Sequence, residues 1–396
     1  MLVLVINCGS SSLKYQLIDS NTKKALATGI CERIGMDVSY LKHTPAGNDK
    51  VVIETVMENH EVAVSMVLEA LIDKKHGVIK DLSEIQAVGH RVVHGGEKFS
   101  SSTIITDEVI DAIEDCNDLA PLHNPANLIG IRACKSLMKS VPMVAVFDTA
   151  FHQTIPDKAY LYALPMEYYE KYKIRKYGFH GTSHSFVSEH LSDFCGLELN
   201  NSKIIVCHLG NGASITAVQN GKSVDTSMGF TPLSGLVMGT RSGDIDPSII
   251  EFIAKKENKN LEEIMHLLNK DSGIQGMSKV SSDFRDINVA MDNGNEYARI
   301  AFDVFVYRVV KYIGGFIASM NGVDAIAFTA GVGENDPKVR YDVCKYLEFM
   351  GITIDEEANK LRGQEVMIST PDSKVKVAVI PTNEELAIAK ATVALL

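Results

Sequence analysis

The chain has 396 residues, 45% hydrophobic and 22% charged, with 39 Lys and Arg against 50 Asp and Glu for a formal net charge of −11. That length suggests two domains or three, and the composition excludes a wholly disordered chain. The acidic balance argues against nucleic acid as a partner, which would call for clustered Lys and Arg, whereas a small anion needs only one local Arg pair.

The first predicted strand is the apolar run Leu2–Ile6, followed by a small polar turn and a second strand, Leu13–Ile18. The run is too short for a secretory leader, and none is expected. Strands follow at Ala25–Ile34 and Val51–Val56, then a helix over His60–Lys75 with Val64, Val67, Leu68 and Leu71 at helical spacing. Ile85–Val93 returns to strand, helices are expected near Asp107–Cys116 and Asn124–Ser140, and Met143–Phe147 is a strand. A second unit starts near residue 150, with a helix at Tyr168–Tyr172, a glycine-containing loop at Tyr177–His184 and a helix to Cys195. Lys203–Leu209 is a strand, and Ala213–Gln219 with Lys222–Thr226 flank Asn220-Gly221, a hairpin turn. Helices dominate from Pro247 to Met320, and Asp303, Arg308 and Lys311 make Ile300–Met320 a buried helix rather than a membrane span. Strands at Asp324–Thr329 and Val375–Ile380 and a helix over Asn383–Leu396 complete the order. Seven scattered cysteines without a CxxC pair read as reduced thiols of a cytoplasmic protein.

A weak repeat relates Val5–Ser11 to Val206–Gly212: each is a strand, a small polar turn and a second strand. Two such hairpins are a way to hold a nucleotide between related halves. In the first, Asn7-Cys8-Gly9-Ser10-Ser11-Ser12-Leu13-Lys14 offers backbone amides, hydroxyls and a cation to a phosphate, or is an ordinary hairpin with an exposed lysine. Gly210-Asn211-Gly212 and Gly331-Val332-Gly333-Glu334-Asn335 follow buried strands, where nucleotides meet backbone amides, yet neither completes GxGxxG. Arg91 and Arg241 either grip carboxylate or phosphate oxygens or serve structural ion pairs. Asp148 ends a strand, and His180 lies among glycines that admit a ligand. His90/His94 and His180/His184 have i, i+4 spacing, but without HExxH or nearby cysteines a zinc site is a minor alternative.

Taken jointly, NCGSSSLK (Asn7–Lys14), FDTAFHQ (Phe147–Gln153), YGFHGTSH (Tyr177–His184), HLGNGAS (His208–Ser214), GLVMGTRSGDIDP (Gly235–Pro247), Asp283-Phe284-Arg285 and GVGEN (Gly331–Asn335) resemble the acetate kinase family end to end. The resemblance implies an α/β fold of two related actin-like, sugar-kinase-type domains with duplicated mixed-sheet cores flanking a nucleotide cleft. Residues 1–149, with the helix 385–396 folded back, would form the first domain, and 150–384 the second, which carries the nucleotide site and a homodimer interface. It implies reversible, Mg²⁺-dependent (or Mn²⁺-dependent) direct in-line transfer of a phosphoryl group from ATP to acetate, giving ADP and acetyl phosphate.

Carried over by position, Asp148, Arg91, His180 and Arg241 are the catalytic set, and Val93, Leu122, Phe179 and Pro232 line the acetate methyl pocket. Ser12, Lys14, His208, Leu209, Gly210, Asn211 and Gly212 fit the phosphates. Asp283, Phe284, Arg285 and Gly331, Val332, Gly333, Glu334 and Asn335 fit the adenosine. Asn7 and Glu384 fit the metal. Ala330 departs from the family, which often has glycine there. The competing readings are a propionate or butyrate kinase of the same family, a pyrophosphate-using relative, and an actin-like ATPase indifferent to carboxylates. No membrane partner is expected.

Overall fold

Small turns and apolar runs build two sheets of the same design. The computed structural model describes residues 1–121 and 123–396, which divide into two units, Met1–Phe151 with Asn383–Leu396, and His152–Thr382. Among the described residues, no helix is long and apolar enough to cross a membrane.

In the first unit the strands are β1 (Leu2–Cys8), β2 (Ser12–Asp19), β3 (Lys24–Glu32), β4 (Ser39–Pro45), β5 (Val51–Thr55), β6 (Ile85–Val92), β7 (Thr103–Ile104) and β8 (Met143–Phe147). They lie in the order β5-β4-β3-β2-β1-β6-β8-β7. Strands β1 to β5 form an antiparallel meander, β6 runs parallel to both β1 and β8, and β7 closes the edge antiparallel to β8.

The centre of this sheet is covered on both faces, as its parallel strands require. Leu4 and Ile6 pack on one side with Val64, Val67 and Leu71 of the helix His60–Ile72 and with Cys134 of Asn124–Leu137. On the other side Val3, Val5, Ala87, Val144 and Val146 meet Ile388 and Ala389 of the helix Glu384–Val393. Gly89 permits that helix to close: a Cβ there would lie 2.5 Å from Thr392 Oγ1.

In the second unit β9 (Lys203–Leu209), β10 (Ala213–Gln219), β11 (Lys222–Thr226), β12 (Ala325–Thr329), β13 (Val366–Met367) and β14 (Lys376–Val379) lie in the order β11-β10-β9-β12-β14-β13. Here β10 and β11 are antiparallel neighbours on one side, β12 and β14 parallel ones on the other, and β13 is the antiparallel edge. Strand for strand this repeats β3-β2-β1-β6-β8-β7. The fold is α/β with two mixed-sheet cores of one strand order. The register sharpens the repeat: Asn7 pairs with Lys14 across β1 and β2, and His208 pairs with Ser214 across β9 and β10.

The structure adds strands at Ser39–Pro45, Thr103–Ile104 and Val366–Met367, which the sequence reading lacks. It also turns two expected loops into helix. Gly181 begins the helix Gly181–Cys195, so His184 is helical, and Ala330–Asn335 is a short helix rather than an open turn.

Candidate active site

Period-two alternation places the polar residues of the first unit. Val3, Val5 and Asn7 alternate on one face of β1, Ala87, Gly89 and Arg91 on β6, and Val144, Val146 and Asp148 on and just past β8. These strands are mutually parallel, so Asn7, Arg91 and Asp148 come at their carboxyl ends on the face covered by the helix that begins at Glu384. Arg91 donates from Nε to both oxygens of Asp148 (3.0 and 3.2 Å) and from Nη2 to Oδ2 (2.6 Å). The Asp148 carboxylate raises the Arg91 pKa further above its already high value. Glu384 Oε2 stands 4.0 Å from Arg91 Nε. Burial raises the Glu384 carboxyl, Arg91 draws it down, and the Asp148 and Glu385 carboxylates push it up again.

Three carboxylates thus share the surroundings of Arg91, with Lys14 the other cation acting on Glu384. A hard divalent cation suits that surplus, and the Asn7 amide and Glu384 carboxylate are oxygen donors of the kind Mg²⁺ accepts. Val93 is buried and its N–H donates to Asn127 Oδ1 at 3.0 Å. Leu122 lies outside the described residues. Ser12 opens β2, where its carbonyl accepts the Gly9 N–H at 2.8 Å and shapes the hairpin turn.

In the second unit the paired residues His208 and Ser214 organise a histidine cluster. Ser214 Oγ lies 2.8 Å from His180 Nδ1 and 2.7 Å from His184 Nε2. Ser183 Oγ lies 2.8 Å from both His208 Nδ1 and Thr382 Oγ1. The His180 and His208 rings stack with centroids 4.2 Å apart. His152 Nε2–H donates to the Phe179 carbonyl at 2.9 Å, steadying the segment just before His180. His180 itself has left-handed backbone, φ 56° and ψ 22°, a strain that a non-glycine residue bears only where its surroundings hold it.

The Gly239-Thr240-Arg241 loop lies on the Gly210–Gly212 turn. The Gly239 N–H donates to the Asn211 carbonyl at 2.9 Å, and a Cβ on Gly239 would fall 1.7 Å from Asn211 Oδ1. Arg241 donates from Nη1 to the Pro232 carbonyl at 3.3 Å and to the Met238 sulfur at 3.7 Å, and makes no ion pair among the described residues. Its half-buried guanidinium is an unneutralised charge, and burial lowers its pKa.

Beside this turn is a cavity of about 810 Å³, within the range of small-molecule sites. Gly210 and Asn211, Asp283 to Arg285, and Gly331, Val332 and Asn335 all line it. Three motifs far apart in sequence therefore meet at one pocket. Arg285 is exposed and held against Asp283, with Nε to Oδ1 at 3.0 Å and Nη2 to Oδ2 at 2.5 Å.

A profile of the acetokinase family matches residues 2–390. An acetate kinase of Lachnoclostridium phytofermentans is 66% identical over 395 residues, covering 100% of both chains. The chain belongs to the acetokinase family. The solved structure of Porphyromonas gingivalis acetate kinase superposes with a TM-score of 0.97 at 50% identity, covering 100% of this chain and 99% of that one. A propionate kinase from Francisella tularensis gives a TM-score of 0.93 at 42% identity, covering 100% of both. The two neighbours, named for different acyl groups, thus superpose closely on the same chain.

Not every residue expected at the nucleotide lines the cavity. Gly333 packs against β12 and β9, where a Cβ would lie 3.3 Å from the Phe328 carbonyl carbon. Glu334 is turned to the backbone, its Oε1 accepting the N–H groups of Ala330 (2.8 Å) and Thr382 (3.1 Å). His208, Leu209 and Gly212 belong to the strand end and turn beside it. Ser282, Asn288, Asp336 and Arg362 line the cavity although the sequence reading did not single them out. Asp336 is the next residue after GVGEN and was within reach of that motif. Arg362 sits alone, 27 residues beyond Asn335, with no local signal.

Proposed function

We propose that this chain is an acetate kinase: an oxygen of the acetate carboxylate attacks the γ-phosphorus of ATP, the bond to the β-phosphate bridging oxygen breaks, and acetyl phosphate and ADP leave. The observation that carries this reading is the commitment of Asp148 to Arg91 through three hydrogen bonds. A carboxylate so engaged is a poor general base, as a sugar hydroxyl or a water would need. Acetate is ionised at neutral pH and needs none.

The chemical problem is then to bring anions together and to stabilise charge on the transferring phosphoryl group. In this reading Asp148 orients Arg91, which keeps Nη1 for substrate oxygens. Arg241 supplies the charge that no carboxylate of its own neutralises, and His180 donates a hydrogen bond to the phosphoryl group. Asn211 and the backbone of the Gly210–Gly212 turn orient the phosphates with Ser12 and Lys14, and the 810 Å³ cavity takes the adenosine. When bound, Mg²⁺ at Asn7 and Glu384 neutralises phosphate charge, partly through its own waters. Val93, Phe179 and Pro232 limit the acyl chain. The reducing cytoplasm suits seven unpaired buried cysteines, and the homodimer that the family resemblance implies is tested by analytical sedimentation.

The deciding experiment measures ADP release from ATP and Mg²⁺ with and without acetate, propionate and butyrate, trapping acyl phosphate with hydroxylamine. Turnover that requires acetate and yields acetyl hydroxamate is expected. Preference for propionate or butyrate would reassign the acyl group, and release indifferent to carboxylates would overturn the reading.

A further inference from the structure

Ser214 has one hydroxyl proton and two imidazole nitrogens to serve, His180 Nδ1 at 2.8 Å and His184 Nε2 at 2.7 Å. Its oxygen could accept from both, but its own buried proton would then have no acceptor among the described residues, so it donates to one ring and accepts from the other, and the two tautomers are coupled. His184 breaks the tie. It is wholly buried, and its Nδ1 has no hydrogen-bond partner. A proton on that nitrogen would be an orphaned buried donor, which folded proteins rarely tolerate, whereas a bare lone pair there is the lesser penalty. His184 therefore carries its proton on Nε2 and donates to Ser214, and Ser214 spends its own proton on His180 Nδ1. A doubly protonated His184 is disfavoured by burial first, and by the neighbouring His152 and His208 rings.

We infer that Ser214, backed by His184, is a positioning residue that locks His180 in the tautomer with its proton on Nε2, making the neutral ring a hydrogen-bond donor. The direction of that donor matters. A Cβ placed on Gly212 would lie 3.5 Å from His180 Nε2 and 3.7 Å from Arg241 Nη1, so both groups face the space that the glycine leaves open. His208 stacks on the same ring, its centroid 4.2 Å away, a contact that favours this ring orientation. Two donors converging on one space, one of them uncharged, are suited to oxygens on which negative charge develops. Donation from a neutral imidazole does not wait for protonation. The inference deepens the kinase reading and rests on it only for its kinetic consequence.

The test is ¹⁵N NMR of the full-length protein labelled at imidazole nitrogens, with His180 assigned by its loss in His180→Gln. The expected spectrum shows a bare, pyridine-type Nδ1 and a protonated, pyrrole-type Nε2 at His180. The reverse tautomer in the unmodified protein would overturn the inference, and this spectrum decides it even if the variants fail to fold. Ser214→Ala should mix the tautomers and lower kcat at least ~10-fold while KM for ATP stays within about twofold. Ser214→Thr, which keeps the hydroxyl, should restore both the spectrum and most of kcat. An alanine variant with the original spectrum and kcat would also overturn it. The predicted spectrum in a protein without carboxylate-dependent turnover would sink the kinase reading and leave this one standing.

Discussion

Arg91 grips Asp148 through Nε and Nη2, while Arg241, in the other unit, donates among the described residues only to the Pro232 carbonyl and the Met238 sulfur. One guanidinium is neutralised within its own unit and the other is not. Their removal should therefore read differently in stability. Arg91→Ala strands a buried carboxylate and should cost about 3–5 kcal/mol, whereas Arg241→Ala removes an unpaired, half-buried charge and should leave the thermal midpoint within about 2 °C. Both should lower kcat/KM for acetate by more than ~100-fold. Equal stability losses in calorimetry would refute the contrast.

Asp148→Asn keeps one oxygen for Arg91 but removes the charge. Folding should survive, with kcat down by about 10²–10³ as the guanidinium loses its fixed orientation. Near-normal kcat with unchanged metal dependence would end the assigned role.

Val93 is buried beside the strand that carries Arg91. If it limits the acyl chain, Val93→Ala should raise the propionate-to-acetate ratio of kcat/KM by roughly 10-fold, since one methylene is worth about 1–3 kcal/mol in an apolar pocket. An unchanged ratio would remove Val93 from the pocket.

Ala330 has a backbone φ of +65°, in the left-handed region. An L-residue there costs about 1–2 kcal/mol, and glycine recovers this less the roughly 0.5–1 kcal/mol it loses through greater freedom in the unfolded chain. Ala330→Gly should accordingly raise stability by up to about 1 kcal/mol, or ~2 °C in midpoint. A lower midpoint would contradict this account.

Acid stability follows from buried neutral histidines. Burial pushes His90 and His94 down to about 3 and His152 down to about 4, against roughly 6.5 in the unfolded chain. The unfolded state then binds more protons, so this stability is complete above ~6.5 and declines as pH falls towards the folded values. Three such groups give a slope of about 4 kcal/mol per pH unit once all are charged in the unfolded chain. Thermal midpoints should therefore drop steeply between about pH 6 and 4.5, and a flat profile would count against the buried neutral assignment.

The core strands and the paired glycine turns were legible because Leu2–Ile6, Lys203–Leu209 and Asp324–Thr329 are apolar runs that end in small residues. Strand β4 was not. Its inward residues are Ser39, Leu41, His43 and Pro45, so no apolar alternation marks it. His43 is accommodated inside because Tyr15 Oη meets its Nδ1 and the His76 carbonyl its Nε2 at 3.0 Å, partners 28 and 33 residues away. The helix over Ala330–Asn335 was hidden for a related reason. Two glycines argue against helix, and the counterweight is Glu334, whose carboxylate accepts the Ala330 N–H. The motifs pointed to Arg91, Asp148 and His180, but only coordinates reveal the hydrogen bonds that divide work among them. Ser214 stood inside HLGNGAS, and nothing in its spelling says that it faces two imidazoles.

Asn7 with Lys14 and His208 with Ser214 occupy the same register position in two hairpins of one design. The two hairpins differ at that single structural address. One presents an amide and an ammonium, a pair that acts through fixed charge and dipole. The other presents an imidazole and a hydroxyl, groups whose protons can be handed to one side or the other. Two chemistries thus need no second scaffold, only different side chains in a slot at the carboxyl end of a strand.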